Sequence, residues 1–135
     1  VLAGPRALIV RAHRYRKMLG GGMRQVGVLC AAAMYALDHH FARLAEDHQN
    51  ARRLADGLAQ SPGIALDPSQ VETNIVIFDV RSMLAADFVQ RAAAAGVRMN
   101  AIGPKRIRAV THLDVTARDI EAALTALAPI ARERS

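Results

Sequence analysis

The sequence predicts a small α+β domain, a short sheet covered by helices, entered through helices that precede it. Three observations carry that expectation. The β-branched run TNIVIFDV (73–80) and two short stretches around Gly103-Pro104 read as strands. Segments with apolar residues three and four positions apart read as amphipathic helices on either side of them. Composition agrees: 52% hydrophobic residues with only 4% aromatic ones imply an aliphatic core, and the alanine bias favours helix.

Taken in order, VLAG (1–4) reads as the end of a buried strand with no sheet of its own. Pro5 can open a helix that runs to about Lys17, and Gly20-Gly21-Gly22 break it. From Met23 to Leu37 the chain is apolar on nearly every face, with Val26, Val28, Leu29, Met34 and Leu37. A helix apolar all round is a buried one, and so small a domain offers little to surround it, which implies a partner surface. Cys30, inside this stretch, reads as a small core residue. Phe41, Leu44, Ala45, Ala51, Leu54, Ala55 and Leu58 mark an amphipathic helix with Arg52, Arg53 and Asp56 outward, ended by Ser61-Pro62-Gly63. After the 73–80 strand, Ser82 can cap a helix carrying Leu84, Phe88, Val89, Ala92 and Ala93, closed by Gly96. VRMNAI and RIRAVTH form two short strands, and Thr116 begins a last helix with Ile120, Ala123, Leu124, Leu127 and Ala131 on one face.

The 135 residues suffice for one core-bearing domain. No apolar run reaches the roughly 18 residues needed to span a bilayer. The opening residues place their cations after the apolar part, unlike a signal peptide, and a single cysteine forbids an intrachain disulfide. A cytoplasmic protein is expected. The net charge of +6 sits in one place: residues 1–37 hold Arg6, Arg11, Arg14, Arg16, Lys17 and Arg24 and no acid, whereas the remainder balances. A localised anion site or a nucleic-acid patch distributes charge this way.

RYRKMLGGGMRQVG (14–27) concentrates that excess around three glycines. No phosphate-loop or dinucleotide fingerprint follows, so the glycines read either as a hinge or as a cradle for an anion flanked by Lys17 and Arg24. Arg24 would stand near the start of the next helix, where free N–H groups also attract anions. His13, His39, His40, His48 and His112 match no metal-ligand spacing, so surface or interface roles are expected and no metal. Arg108, on a short strand, could grip a carboxylate with its planar fork, or form an ordinary ion pair, for instance with Asp114.

The stretch RYRKMLGGGMRQVGVLCAAAMYAL, followed in order by LAEDHQNARRLADGL, TNIVIFDV and IRAVTHLDV, strongly resembles the low-specificity L-threonine aldolases. These are pyridoxal-phosphate (PLP) enzymes of the aspartate-aminotransferase fold type. The resemblance implies cleavage of L-threonine or L-allo-threonine to glycine and acetaldehyde, with PLP as cofactor and a small β-hydroxy amino acid as substrate. It implies that Lys17 and Arg24 line the site near the PLP phosphate and that Arg108 binds the substrate carboxylate. It puts no catalytic residue in this chain, because the family's Schiff-base lysine would precede Val1 and neither Lys17 nor Lys105 sits in its motif. On this reading the chain is the C-terminal portion of the enzyme, inactive without the lysine-bearing N-terminal half. Residues 1–37 would end the PLP-binding large domain and start the connecting helices. Residues 38–135 would form a connecting helix and the C-terminal α+β domain. A homo-oligomer, dimer or tetramer, is implied as well.

Two alternatives remain on the sequence. One is a related fold-type I lyase for another β-hydroxy amino acid. The other is a noncatalytic interaction or nucleic-acid-binding module using Arg6 to Arg24, although that segment lacks an aromatic stacking platform and any binding motif.

Overall fold

The computed structural model describes residues 1–132. The chain divides into two compact units, Val1–Phe41 and the remainder from Ala42 onward. Each unit is built by different physics.

The first unit holds two helices, α1 (Arg6–Met18) and α2 (Gly27–His39). Pro5 occupies the N-cap of α1 with an extended backbone. Residues 1–5 take no secondary structure, so the strand expected of VLAG is not formed. An extended segment becomes a strand only by pairing with a neighbour, and none of the described strands pairs with it. α2 is apolar all round, as its sequence demands, yet no residue of it is buried. Cys30 is therefore exposed, contrary to the expectation of a core cysteine, because nothing within this unit covers α2.

The second unit opens with α3 (Leu44–Ala59) and continues through β1 (Ile64–Ala65), a 3-10 turn at Pro68–Gln70, β2 (Ile75–Val80), α4 (Ala85–Ala94), β3 (Asn100–Ala101), β4 (Arg106–Val110) and α5 (Ala117–Arg132). The strands form one antiparallel sheet in the order β1-β2-β4-β3. Strict alternation along β2 and β4 divides the sheet into two faces. Val76, Phe78, Val80, Ile107 and Ala109 are buried on one face, where Leu54 and Leu58 of α3, Phe88 of α4, and Ile120 and Leu127 of α5 complete the core. Each such large side chain contributes about 1.5–3 kcal/mol by leaving water. The Phe78 and Phe88 rings meet edge to face at 6.0 Å. Within this unit α3, α4 and α5 cover this face; the residues alternating with these stand on the other face, which no helix of the unit covers among the described residues.

Local chemistry fixes the helix ends. Thr116 and Asp119 form a reciprocal capping box at the start of α5, with Thr116 N–H donating to the Asp119 carboxylate at 2.8 Å and Asp119 N–H donating to Thr116 Oγ1 at 3.3 Å. Gly96 ends α4 with φ +86°, and Val97 N–H closes back on the Ala92 carbonyl at 2.8 Å. The expected Ser82 cap is displaced: α4 begins at Ala85, behind Leu84. The orphan N–H of Ala85 is satisfied instead by the Pro104 carbonyl at 2.8 Å, so the strand turn does the work of a cap.

A buried polar network ties α3, β2, β4 and the start of α5 together. Thr111, just past β4, donates its hydroxyl to the Asp47 carbonyl at 2.7 Å and its N–H to the Asn74 carbonyl at 3.0 Å. Asn74 returns a bond from its amide to the Thr111 carbonyl at 2.8 Å, and Asn50 donates to the Val115 carbonyl at 3.0 Å. Arg43 grips the Asp47 carboxylate with both Nη atoms, at 2.9 and 3.2 Å. The Thr111–Asp47 bond is fully buried and the other side-chain bonds partly so, which makes the first the costliest to break.

Candidate functional site

Two arrangements stand out, one in each unit. In the first unit the three glycines have three separate reasons. Gly20 adopts φ +79° and ends α1 as a Schellman motif, with Gly21 N–H bonded to the Arg16 carbonyl at 2.8 Å and Gly20 N–H to the Lys17 carbonyl at 3.3 Å. A Cβ on Gly21 would stand 3.1 Å from the Arg16 carbonyl oxygen. A Cβ on Gly22 would meet Lys17 Cδ at 2.9 Å and Nζ at 3.4 Å. The glycines therefore fold the loop tightly over the last turn of α1 and lay the Lys17 side chain against the loop backbone.

Arg24 follows in the turn before α2, and Gln25 takes φ +51°, a left-handed conformation uncommon outside glycine. Arg16 Nη2 contacts His13 Nε2 at 3.2 Å. Among the described residues, Lys17 and Arg24 have no ion-pair partner, and the first turn of α2 carries no acid. Two cations without an ion-pair partner thus flank the glycine loop in the chain, which is positive charge of the kind an anion calls for.

In the second unit the open face of the sheet presents Ile75, Ile77 and Asp79 from β2 against Val110, Arg108 and Arg106 from β4, each directly opposite the other. Arg106 and Asp79 form a bidentate pair at 2.9 and 2.8 Å. That pair holds the Asp79 carboxyl below the usual carboxylate range and raises the Arg106 guanidinium. Arg108 stands one pair along, opposite Ile77, exposed and without a hydrogen-bond or ion-pair partner among the described residues. The ion pair with Asp114 is not formed, since Asp114 lies instead against His112 Nδ1, at 3.6 Å. Arg108 thus offers a guanidinium fork beside exposed isoleucine and valine side chains, which suits a carboxylate carried on a small, partly apolar molecule. A hollow of about 390 Å³ is lined by Ile75, Ile77, Asp79 and Arg106 of this same face, next to Arg108 but without it.

The remaining candidates resolve differently. Lys105 donates to the carbonyls of Met83 and Arg81 at 2.8 and 3.3 Å, which makes it a fastener for the loop before α4. His39 stacks on Tyr35 with ring centroids 4.0 Å apart, and His40 meets the same ring edge-on at 5.7 Å. Sequence reasoning missed the Asp79–Arg106 pair. The alternation of TNIVIFDV and RIRAV puts both residues on the polar face of their strands, but only the register sets them opposite.

The low-specificity L-threonine aldolase 1 of Arabidopsis thaliana is 39% identical over 128 residues, covering 93% of this chain and 36% of that protein. The low specificity L-threonine aldolase of Escherichia coli O157:H7 is 44% identical over 116 residues, covering 86% of this chain and 33% of that protein. The chain thus spans about a third of the length of the curated relatives it matches. Among solved structures, that of MppP soaked with the product 2-ketoarginine superposes with a TM-score of 0.59 at 13% identity, over 73% of this chain and 30% of that one. That likeness concerns the fold alone. Residues 1–82, well over half of the sequence, match the beta-eliminating lyase family, and the chain belongs to that family.

Proposed function

We propose that this chain supplies the substrate-carboxylate arginine and two cofactor-phosphate cations of a PLP-dependent aldehyde-lyase that cleaves L-threonine or L-allo-threonine to glycine and acetaldehyde. The observation that carries the reading is the state of the open sheet face. Asp79, the acid of β2, is held by Arg106, and Arg108 is left for a carboxylate from elsewhere. The named activity of the aldolases that match most of this chain supports the same reaction.

Each residue has a definite task. Arg108 binds and orients the amino-acid carboxylate, and Ile77 opposite keeps one side of the guanidinium dry. Lys17 and Arg24 hold the phosphate of PLP against the glycine loop. PLP, when bound, supplies the electron sink for breaking the Cα–Cβ bond. An open face cannot exclude water by itself, so a second surface must close over Arg108 during the reaction. The exposed apolar residues of α2 support assembly into a homo-oligomer. A cytoplasmic location belongs to the same reading. No described helix is long and apolar enough to cross a membrane.

The test is Arg108→Ala in the complete protein, assayed by acetaldehyde release. Losing a charge-assisted bidentate contact of about 1.5–3 kcal/mol raises KM for threonine by roughly ten- to a hundredfold. An unchanged KM would remove Arg108 from the carboxylate site.

A further inference from the structure

The carboxylate reading of Arg108 leaves one neighbour, Asn100, unexplained, and the role assigned to Asn100 rests on that reading. β4 lies between β2 and β3, so Arg108 has a residue directly opposite on each side, Ile77 on β2 and Asn100 on β3. Directly opposite residues of an antiparallel pair share one face of the sheet, with Cβ atoms about 4.5–5.5 Å apart. Asn100 is exposed, and its amide has no hydrogen-bond partner among the described residues.

The same sheet shows what such a juxtaposition does when the neighbour is an acid. Asp79 stands opposite Arg106 in the same way, and their side chains meet in two hydrogen bonds of 2.9 and 2.8 Å. Asparagine has the shape and reach of aspartate but no charge. An amide at position 100 can therefore touch the Arg108 guanidinium as Asp79 touches Arg106, without neutralising it.

We infer that Asn100 is a positioning residue for the substrate site. The two side chains make no hydrogen bond in this structure; once a carboxylate engages Arg108, the Asn100 carbonyl oxygen accepts one hydrogen bond from the guanidinium and fixes the direction of the fork. The charge and the remaining N–H donors stay free for the substrate carboxylate. Ile77, on the other side, has no acceptor to compete for that bond.

The decisive variant is Asn100→Asp in the complete protein, compared with Asn100→Ala and Arg108→Ala. The new carboxylate pairs with Arg108 and competes with the substrate, so KM for threonine rises by about tenfold or more while kcat changes little. Asn100→Ala, which loses only the orienting bond, raises KM by roughly threefold, and the thermal midpoints of both variants stay at the wild-type value. In an Arg108→Ala background, Asn100→Asp has no further effect, because its target is gone. A wild-type KM for Asn100→Asp, beside a raised KM for Arg108→Ala, overturns the role of Asn100 and leaves Arg108 standing. An additive effect in the double variant also overturns it, since it shows plain repulsion of substrate. A wild-type KM for Arg108→Ala overturns the carboxylate reading itself.

Discussion

Thr111→Val removes one hydroxyl from the point where α3, β2 and β4 are fastened together. Thr111 is 1% exposed, and its Oγ1 donates to the Asp47 carbonyl at 2.7 Å, with a longer approach to the Asn74 carbonyl at 3.4 Å. Valine fills the same space, so cavity formation adds little, and the loss is that of a short buried hydrogen bond. A typical bond of this kind contributes about 0.5–1.5 kcal/mol net, rising to about 1–3 kcal/mol where a buried acceptor loses its partner. We expect a loss of about 1–2 kcal/mol. In a folding unit of this size each kcal/mol lowers Tm by about 4–8 °C. Thermal unfolding followed by circular dichroism, with Thr111→Ser as the control that keeps the hydroxyl, measures it directly. Thr111→Ser should stay much closer to wild type. A Thr111→Val midpoint within about 1 °C of wild type would show that this hydroxyl fastens nothing, because an effect of the expected size moves the midpoint several degrees. The consequence reaches the site, since Thr111 anchors the end of the strand that carries Arg108.

Acid stability and the role of Lys105 give two further tests. Asp79, Asp67 and Asp119 are all held below the ordinary carboxylate value of 3.8, by Arg106, Ser69 and Thr116 respectively. With folded values depressed, the unfolded chain takes up protons first, so their contribution is complete above about pH 4 and is lost as pH falls through the folded values. Urea midpoints should therefore fall on acidification below about pH 4, and Asp79→Asn should flatten that fall; an unaltered slope would count against the pair. Lys105→Met should cost less than about 1 kcal/mol, because its carbonyl acceptors are exposed, and should leave PLP absorbance of the complete protein unchanged. Loss of the cofactor spectrum in that variant would make Lys105 more than a fastener.

Much of the second unit is legible in the sequence because its patterns are local. The three- and four-residue spacing of Ala51, Leu54, Ala55 and Leu58 places α3, and the alternation around Val76 and Phe78 places β2. Gly96 and Thr116 mark helix ends by requirements that each residue carries itself, a left-handed backbone and a side-chain acceptor. Ser82 misled for the same reason: it can cap, but a carbonyl from the Pro104 turn reached the helix start first. The two-residue strand β1 is too short to carry a period, and its pairing with Val80 and Asp79 alone defines it. In the first unit the apolar pattern of α2 announces burial, and no residue of that helix is buried.

The candidate site divides along the same line. Lys17, Arg24 and Arg108 stand out in the sequence as cations in glycine-rich or strand settings. The opposition of Asp79 to Arg106, and of Asn100 to Arg108, depends on pairing across 27 and 8 positions of chain and needs the register. It is that register which leaves Arg108 unpaired.

A crystal structure of the complete protein with PLP and glycine bound would bear most directly on the role of Arg108. Both carboxylate oxygens of the glycine should lie about 2.7–2.9 Å from the Arg108 guanidinium nitrogens, on the open face of the sheet. A glycine carboxylate held by another cation, with Arg108 pointing into solvent, would contradict that role.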